Sequence, residues 1–140
     1  MSFNTVFDIV GSALVAETAR LTTTASNMGN AHIVSGSADE AYKAQYPVFT
    51  AVQEDANQWM NNQIKAGVKL DGIYESKADP IRRHDPNHPQ ADKDGFVYVP
   101  NVNSVEEIVN MISSSEAYQM NLEVVNTAKQ LTQRTLQLGQ

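Results

Sequence analysis

The sequence predicts an α+β protein whose two long terminal helices pair as an antiparallel coiled coil, with a small β-rich insert between them. Apolar residues recur at alternating spacings of three and four at both ends of the 140-residue chain, whereas turn signals and β-branched runs lie in the middle. Such spacing marks a helix face that packs against another helix. We expect an inner helical domain made of residues 1–33 and 104–140, and an insert over residues 34–103.

The first helix is expected to begin near Phe3 and to end before His32. Its seam has two interruptions, at Glu17 and Thr24, and consists of Phe7, Val10, Leu14, Leu21, Met28 and Ala31. Gly29 and Asn30 supply a C-terminal stop. The second half is rich in Thr, Ser and Asn, which are weak helix formers. The helix therefore needs partners to stay ordered.

The insert contains three predicted strands, over residues 46–52, 67–75 and 96–99. Pro80, Pro86 and Pro89 forbid a helix between the second and third of these strands. Residues 53–63 form a polar tip that contains Trp59. Trp59 is either a contact for a neighbouring protein or a cap on the small sheet.

The last helix has a sharp predicted start, because Ser104 and Glu107 match a capping box with Val105 as the first helical residue. Its seam begins at Ile108 and continues through Met111, Ser115, Tyr118, Leu122, Val125, Lys129, Thr132 and Leu136. The outer faces of both helices are expected to present uncharged Ser, Thr, Asn and Gln.

The composition argues against several classes of function. A net charge of −6 is unlike the basic face of a nucleic-acid binder. The chain has no cysteine, which excludes disulfides and thiolate metal sites. We expect no membrane insertion, because no apolar run reaches the length of a span. The first residues lack the pattern of a cleaved signal peptide.

One cluster of polar residues has the chemistry of a metal site. His84, Asp85, His88, Asp92 and Asp94 lie within eleven positions. No metal-binding or catalytic motif places these side chains in register, so a polar turn is the more economical interpretation. We therefore predict no enzyme activity, no metal and no cofactor. The alternative is a soluble metal-binding module or metal-dependent enzyme that uses His84, His88 and Asp92.

The terminal helices are expected to be assembly surfaces. Two helices of some 30 residues cannot both be covered by a sheet with so few apolar residues, so they must pair with each other and with other molecules. The predicted assembly interface consists of Phe7, Val10, Leu14, Leu21, Met28, Ile108, Met111, Tyr118, Leu122, Val125 and Leu136.

Several motifs resemble the rod proteins of the bacterial flagellum, within the rod–hook–filament axial family. Residues 25–30, Ala-Ser-Asn-Met-Gly-Asn, are similar to the family signature Ala-Ser-Asn-Leu-Ala-Asn. Residues 85–89, 91–95 and 100–103 resemble the most specific run of the proximal-rod members, and residues 111–139 resemble their C-terminal helix. The chain departs from the family pattern at Glu116, where a basic residue is usual.

The resemblance implies a structural subunit of the proximal rod that polymerises through its terminal helices into a hollow drive shaft. It implies export without a cleaved signal peptide and assembly in the periplasmic space. The implied partners are further copies of the chain, the rod proteins FlgB, FlgF and FlgG, and FliE, the adaptor between the rod and the membrane ring.

Overall fold

The computed structural model describes residues 3–53 and 66–138, and it confirms the predicted α+β fold with two long helices at the ends and an antiparallel β insert between them. Trp59 and nearly all of the predicted 53–63 tip lie outside the described residues. Within the described ranges the elements are α1 (Phe3–Asn30), β1 (Gln45–Gln53), β2 (Ala66–Glu75), β3 (Ile81–His84), β4 (Phe96–Val99) and α2 (Ser104–Leu138).

The chain divides into two compact units. The first unit contains Met1–Ala19, Val48–Gly72 and Ser113–Gln140, and the second contains Arg20–Pro47 and Ile73–Ile112. The beginning of α1 therefore groups with the later part of α2, and the end of α1 groups with the beginning of α2. This is the grouping that an antiparallel helix pair produces, in agreement with the predicted coiled coil.

Every second position of the predicted α2 seam is displaced by one residue from the position that is buried in the structure. Glu107, Ser114 and Ala128 are buried, and they are separated by multiples of seven residues. The predicted seam placed Ile108, Ser115, Leu122 and Lys129 at the equivalent positions, and Ile108 and Leu122 are 46% and 40% exposed. The small side chains of Ser114 and Ala128 allow the backbone of α2 to approach the neighbouring helix closely. The spacing of large apolar residues in the sequence does not reveal such positions.

The buried face of α1 is partly polar, contrary to the expectation that its Thr and Asn residues lie on the outer face. Thr23, Thr24 and Asn27 are all buried, together with Val10 and Ala16. Thr23 Oγ1 donates a hydrogen bond to the carbonyl of Arg20 at 3.0 Å. A threonine that bonds within its own helix can be buried without leaving its hydroxyl unsatisfied.

In its described residues the insert contains two strand pairs. β1 pairs with β2, and β3 pairs with β4 in an antiparallel register that runs from Ile81 opposite Val99 to His84 opposite Phe96. Ser35 adds a bridge to Tyr98 through two backbone hydrogen bonds of 2.9 Å. The sequence did not predict β3, because its four exposed residues include two arginines and follow a proline.

The start of α2 is capped by Asn103 and not by the predicted Ser104. Asn103 Oδ1 accepts hydrogen bonds from the backbone N–H groups of Val105 at 3.1 Å and Glu106 at 3.5 Å. Its carbonyl accepts the N–H of Glu107 at 3.0 Å. The predicted capping box is therefore wrong by one residue, since Asn is as good a cap as Ser and precedes it. Neither described helix is long and apolar enough to cross a membrane.

Candidate assembly surface

Helix α2 carries apolar side chains on two sides, and only one side is buried. Val105, Ile108, Val109 and Ile112, which we call the outer ridge, are 70%, 46%, 60% and 54% exposed. Their spacings of three, one and three place them on one face of the helix. A helix that is apolar all round is normally buried all round. The outer ridge therefore has the composition of a surface that another molecule covers.

The later part of α2 borders an apolar cleft within the first compact unit. The cleft has a volume of about 490 Å³. We call it the helical cleft, and it is lined by Val6, Met120, Glu123, Val124, Thr127, Ala128 and Leu131. Met120, Val124 and Leu131 are all among the exposed large apolar side chains. An exposed apolar concavity on a soluble protein marks an interaction site.

The predicted interface residues fall into three groups by their exposure. Ile108, Leu122 and Leu136 are exposed, and Val10 is buried with 7% of its surface accessible. The remaining residues are half-buried: Phe7, Leu14, Leu21, Met28, Met111, Tyr118 and Val125. The exposed group offers the most surface to a neighbour, whereas Val10 packs inside the protein.

The predicted interface includes Ile108 of the outer ridge but none of the other three ridge residues and none of the residues that line the helical cleft. The signal was present, because Val105, Val109 and Ile112 follow the same three-and-four spacing as the predicted seam. The predicted seam and the outer ridge share Ile108, and the rest of the ridge lies on the side of α2 that was expected to be polar.

The charges of α2 are separated along its length. Its acidic residues, Glu106, Glu107, Glu116 and Glu123, all precede its basic residues, Lys129 and Arg134. This order complements the helix dipole, which favours negative charge at the N-terminus and positive charge at the C-terminus. The same order makes the first part of one α2 complementary in charge to the last part of another.

Asn27 fixes the chain that leaves α1. Its side chain is 1% exposed. Asn27 Oδ1 accepts hydrogen bonds from the Gln45 N–H at 2.8 Å and from the Tyr42 hydroxyl at 2.9 Å. Asn27 Nδ2 donates to the Gln45 carbonyl at 2.9 Å. One buried amide thus satisfies both backbone groups of Gln45 and holds the start of β1 against α1 within the second unit.

Ser12 fixes the start of β2 against α1 within the first unit. Its hydroxyl donates to the Ile9 carbonyl at 2.7 Å and accepts the Val68 N–H at 3.1 Å. A Cβ atom at Gly67 would lie 2.8 Å from Ser12 Oγ, which is too close for an ordinary contact. Glycine at position 67 is therefore what allows the strand to approach the helix.

Burial, followed by the nearby carboxylates of Glu107 and Glu106, raises the pKa of the Tyr46 phenol. The phenol is therefore neutral at physiological pH, and Tyr46 is a structural neighbour of the start of α2. This arrangement gives no sign of an acid or base poised for catalysis.

The loop over residues 85–95 uses its polar groups internally. Asp92 Oδ1 accepts the N–H groups of Phe96 at 2.8 Å and Asp94 at 2.9 Å. The bond from Phe96 is the main reason that the pKa of Asp92 lies below its ordinary value. His88 Nδ1 accepts the N–H of Gln90 at 3.1 Å. These are the contacts of a polar turn.

His84 and Arg82 both contact Phe96. The His84 ring meets the Phe96 ring edge to face at 4.9 Å between centroids, and the Arg82 guanidinium lies 3.7 Å from the Phe96 centroid. Within residues 3–53 and 66–138 no three His, Asp or Glu side chains are grouped so that they could hold a metal ion. The geometry thus gives the metal-binding alternative no support.

Comparison with known proteins identifies relatives over the full length. The family model described as the flagellar basal body rod FlgEFG protein C-terminal matches residues 93–138. The flagellar basal-body rod protein FlgC of Salmonella typhimurium is 43% identical over 140 residues, covering all of both chains. The FlgC proteins of Escherichia coli O6:H1 and of Buchnera aphidicola from Acyrthosiphon pisum are 41% and 33% identical, again over all of both chains.

Proposed function

The chain belongs to the family of the flagellar basal-body rod protein FlgC and is a structural subunit of the rod, and from this premise we propose that it polymerises through its terminal helices. The observation that carries the proposal is the outer ridge of α2, an exposed apolar face on a helix whose opposite face is already buried. Nothing in the family or in the described residues favours an enzyme.

In the proposed assembly, the exposed apolar side chains of α2 are buried between subunits. Each fully buried Val, Leu or Ile side chain contributes about 1.5–3 kcal/mol relative to its exposed state. The contacts are heterologous, meaning that two different patches meet, and heterologous contacts that do not close into a ring generate a helical polymer. The terminal helices form the inner helical domain of a hollow shaft, and residues 34–103 form the insert.

Rod proteins assemble with other rod components and with copies of themselves. We propose that the neighbours of this chain are FlgB, FlgF, FlgG and the adaptor FliE. We further propose that it joins the rod in the periplasmic space after export without cleavage. The resemblance of its motifs to the proximal-rod proteins supports both proposals.

Replacement of Leu122 by aspartate is expected to block incorporation into the rod. Leu122 is 40% exposed, so the isolated protein tolerates the change, whereas a buried interface does not accept an unpaired carboxylate. Leu21→Asp is expected to act in the same way, with some loss of stability because Leu21 is half-buried. The measurement is the amount of each variant in purified basal bodies, together with swimming of cells that lack the native protein.

Two controls separate the added charge from the lost contact. Leu122→Met keeps the volume and apolar character of the side chain, and we expect it to assemble. Gln119→Asp adds the same charge to an exposed polar position on the same helix, and we expect a much smaller effect. Normal rods built from Leu122→Asp protein, with unchanged circular dichroism, would contradict the proposed role of α2.

A further inference from the structure

We propose that the outer ridge of one copy docks into the helical cleft of a second copy, with the two α2 helices parallel and displaced by about fifteen residues, roughly 22 Å at a rise of 1.5 Å per residue. This inference rests on the proposed function and specifies which surfaces meet. It places Val109 of one copy opposite Val124 of the other.

The ridge cannot fill the cleft of its own molecule. Val109 and Val124 belong to one continuous helix, Ser104–Leu138, and are fifteen residues apart. An outer ridge that occupies the cleft therefore comes from another molecule. Assembly of identical subunits supplies a second ridge of the same chemistry in every neighbour, in a direction set by the polymer axis.

The shapes of the two surfaces are complementary. The ridge is a row of β-branched side chains that projects from the helix, and its members are about half or more exposed. The cleft is a concavity of about 490 Å³ whose walls are mainly the apolar side chains of Val6, Met120, Val124 and Leu131. Ridges that pack into grooves are the usual geometry of helix contacts.

The charges select the displacement. With the helices parallel and unshifted, acidic residues would face acidic residues along the first part of α2. A displacement of fifteen residues brings Glu116 opposite position 131, between Lys129 and Arg134 of the second copy. Opposite charges at the rim of an apolar contact fix its register more than its affinity.

Cross-linking between two differently tagged copies tests the pairing directly. The chain contains no cysteine, so Val109→Cys and Val124→Cys each introduce the only thiol. Both substitutions are mild, since cysteine behaves as a small apolar residue. The two forms are co-expressed in cells that lack the native protein, and the basal bodies are purified and treated with a short bifunctional maleimide. We expect a dimer that carries both tags.

The control pairs Val109→Cys with Gln133→Cys, an exposed position on α2 that does not line the cleft, and we expect no mixed dimer. Cross-links only between two Val109 positions, cross-links only to another rod protein, or incorporation with no cross-link would overturn the inference. If α2 variants such as Leu122→Asp assemble normally, the proposed function fails as well. If they fail to assemble while the mixed dimer is absent, only the docking inference fails.

A charge reversal provides a second readout that does not depend on the thiol variants. Glu116→Arg and Arg134→Glu are each expected to reduce incorporation, and the double variant is expected to recover most of it, because the pair is restored with reversed signs. A double variant that is incorporated no better than either single variant would contradict the fifteen-residue displacement of the two α2 helices. This result would hold whether or not the cysteine variants are incorporated.

Discussion

Asn27→Ala is expected to destabilise the protein by about 2–4 kcal/mol, because it removes the partners of both backbone groups of half-buried Gln45, and a group left unsatisfied away from water costs about 1–3 kcal/mol. In the native protein the Asn27 amide bonds to the N–H and the carbonyl of Gln45 and accepts the Tyr42 hydroxyl. Alanine removes all three bonds and leaves space where the amide was. Urea denaturation followed by circular dichroism measures the loss, and faster hydrogen exchange at the Gln45 amide locates it.

Two variants control for this effect. Asn27→Asp keeps the acceptor for Gln45 and Tyr42 but sets a buried carboxylate oxygen against the Gln45 carbonyl, so we expect a large loss at neutral pH and a smaller one at acidic pH, where the protonated carboxyl can donate to that carbonyl. Asn30→Ala removes the same residue type one turn later, where Nδ2 donates to the Ser26 carbonyl within the helix. That variant is expected to lose less than about 1 kcal/mol. Equal stability of Asn27→Ala and the native protein would show that the amide does not hold the connector.

Val10→Asp is expected to unfold the first compact unit, whereas Val15→Asp leaves it intact. Val10 is 7% exposed and Val15 is 63% exposed, although both are valines on α1. A carboxylate in place of Val10 is buried with no partner, which places the substitution among those that cost roughly 4 kcal/mol or more. A surface substitution such as Val15→Asp usually stays within about 0.5 kcal/mol.

Thermal unfolding of the two purified variants distinguishes these outcomes. Val10→Asp also serves as a control for the assembly experiments, because it shows how a variant that fails to fold behaves in cells. In the isolated protein, Leu122→Asp should be about as stable as Val15→Asp. In cells, Leu122→Asp should be missing from the rod, as Val10→Asp is. Native-like stability of Val10→Asp would mean that the Val10 side chain does not pack α1 against the rest of the first compact unit.

The sequence predicted both helices and the central insert because their signals are local. Apolar spacing marks α1 and α2, and Gly29–Asn30 and the Asn103–Ser104 region mark their ends within a residue or two. β3 was missed because Ile81, Arg82, Arg83 and His84 do not look like a strand. They are held in place by pairing with β4 and by the contact of Arg82 with Phe96, which sequence periodicity does not reveal.

The alignment of the helix faces was harder to predict, because α2 is apolar on two sides. Hydrophobicity favoured Leu122 and Ile108 as seam residues, whereas the protein buries Ser114 and Ala128 and leaves the larger side chains exposed. Asn27 was recognised as part of a signature, but its burial depends on Tyr42 and Gln45, which lie 15 and 18 residues away in the chain. Tertiary contacts of this kind override local preference.

Thiol labelling of Val109→Cys protein tests most directly whether neighbouring molecules cover the exposed face of α2. The single thiol is treated with a water-soluble maleimide in the dilute protein and in purified basal bodies. We expect rapid labelling of the free chain, where Val109 is 60% exposed, and protection in the rod. Labelling at the same rate in both states would contradict burial of this face on assembly.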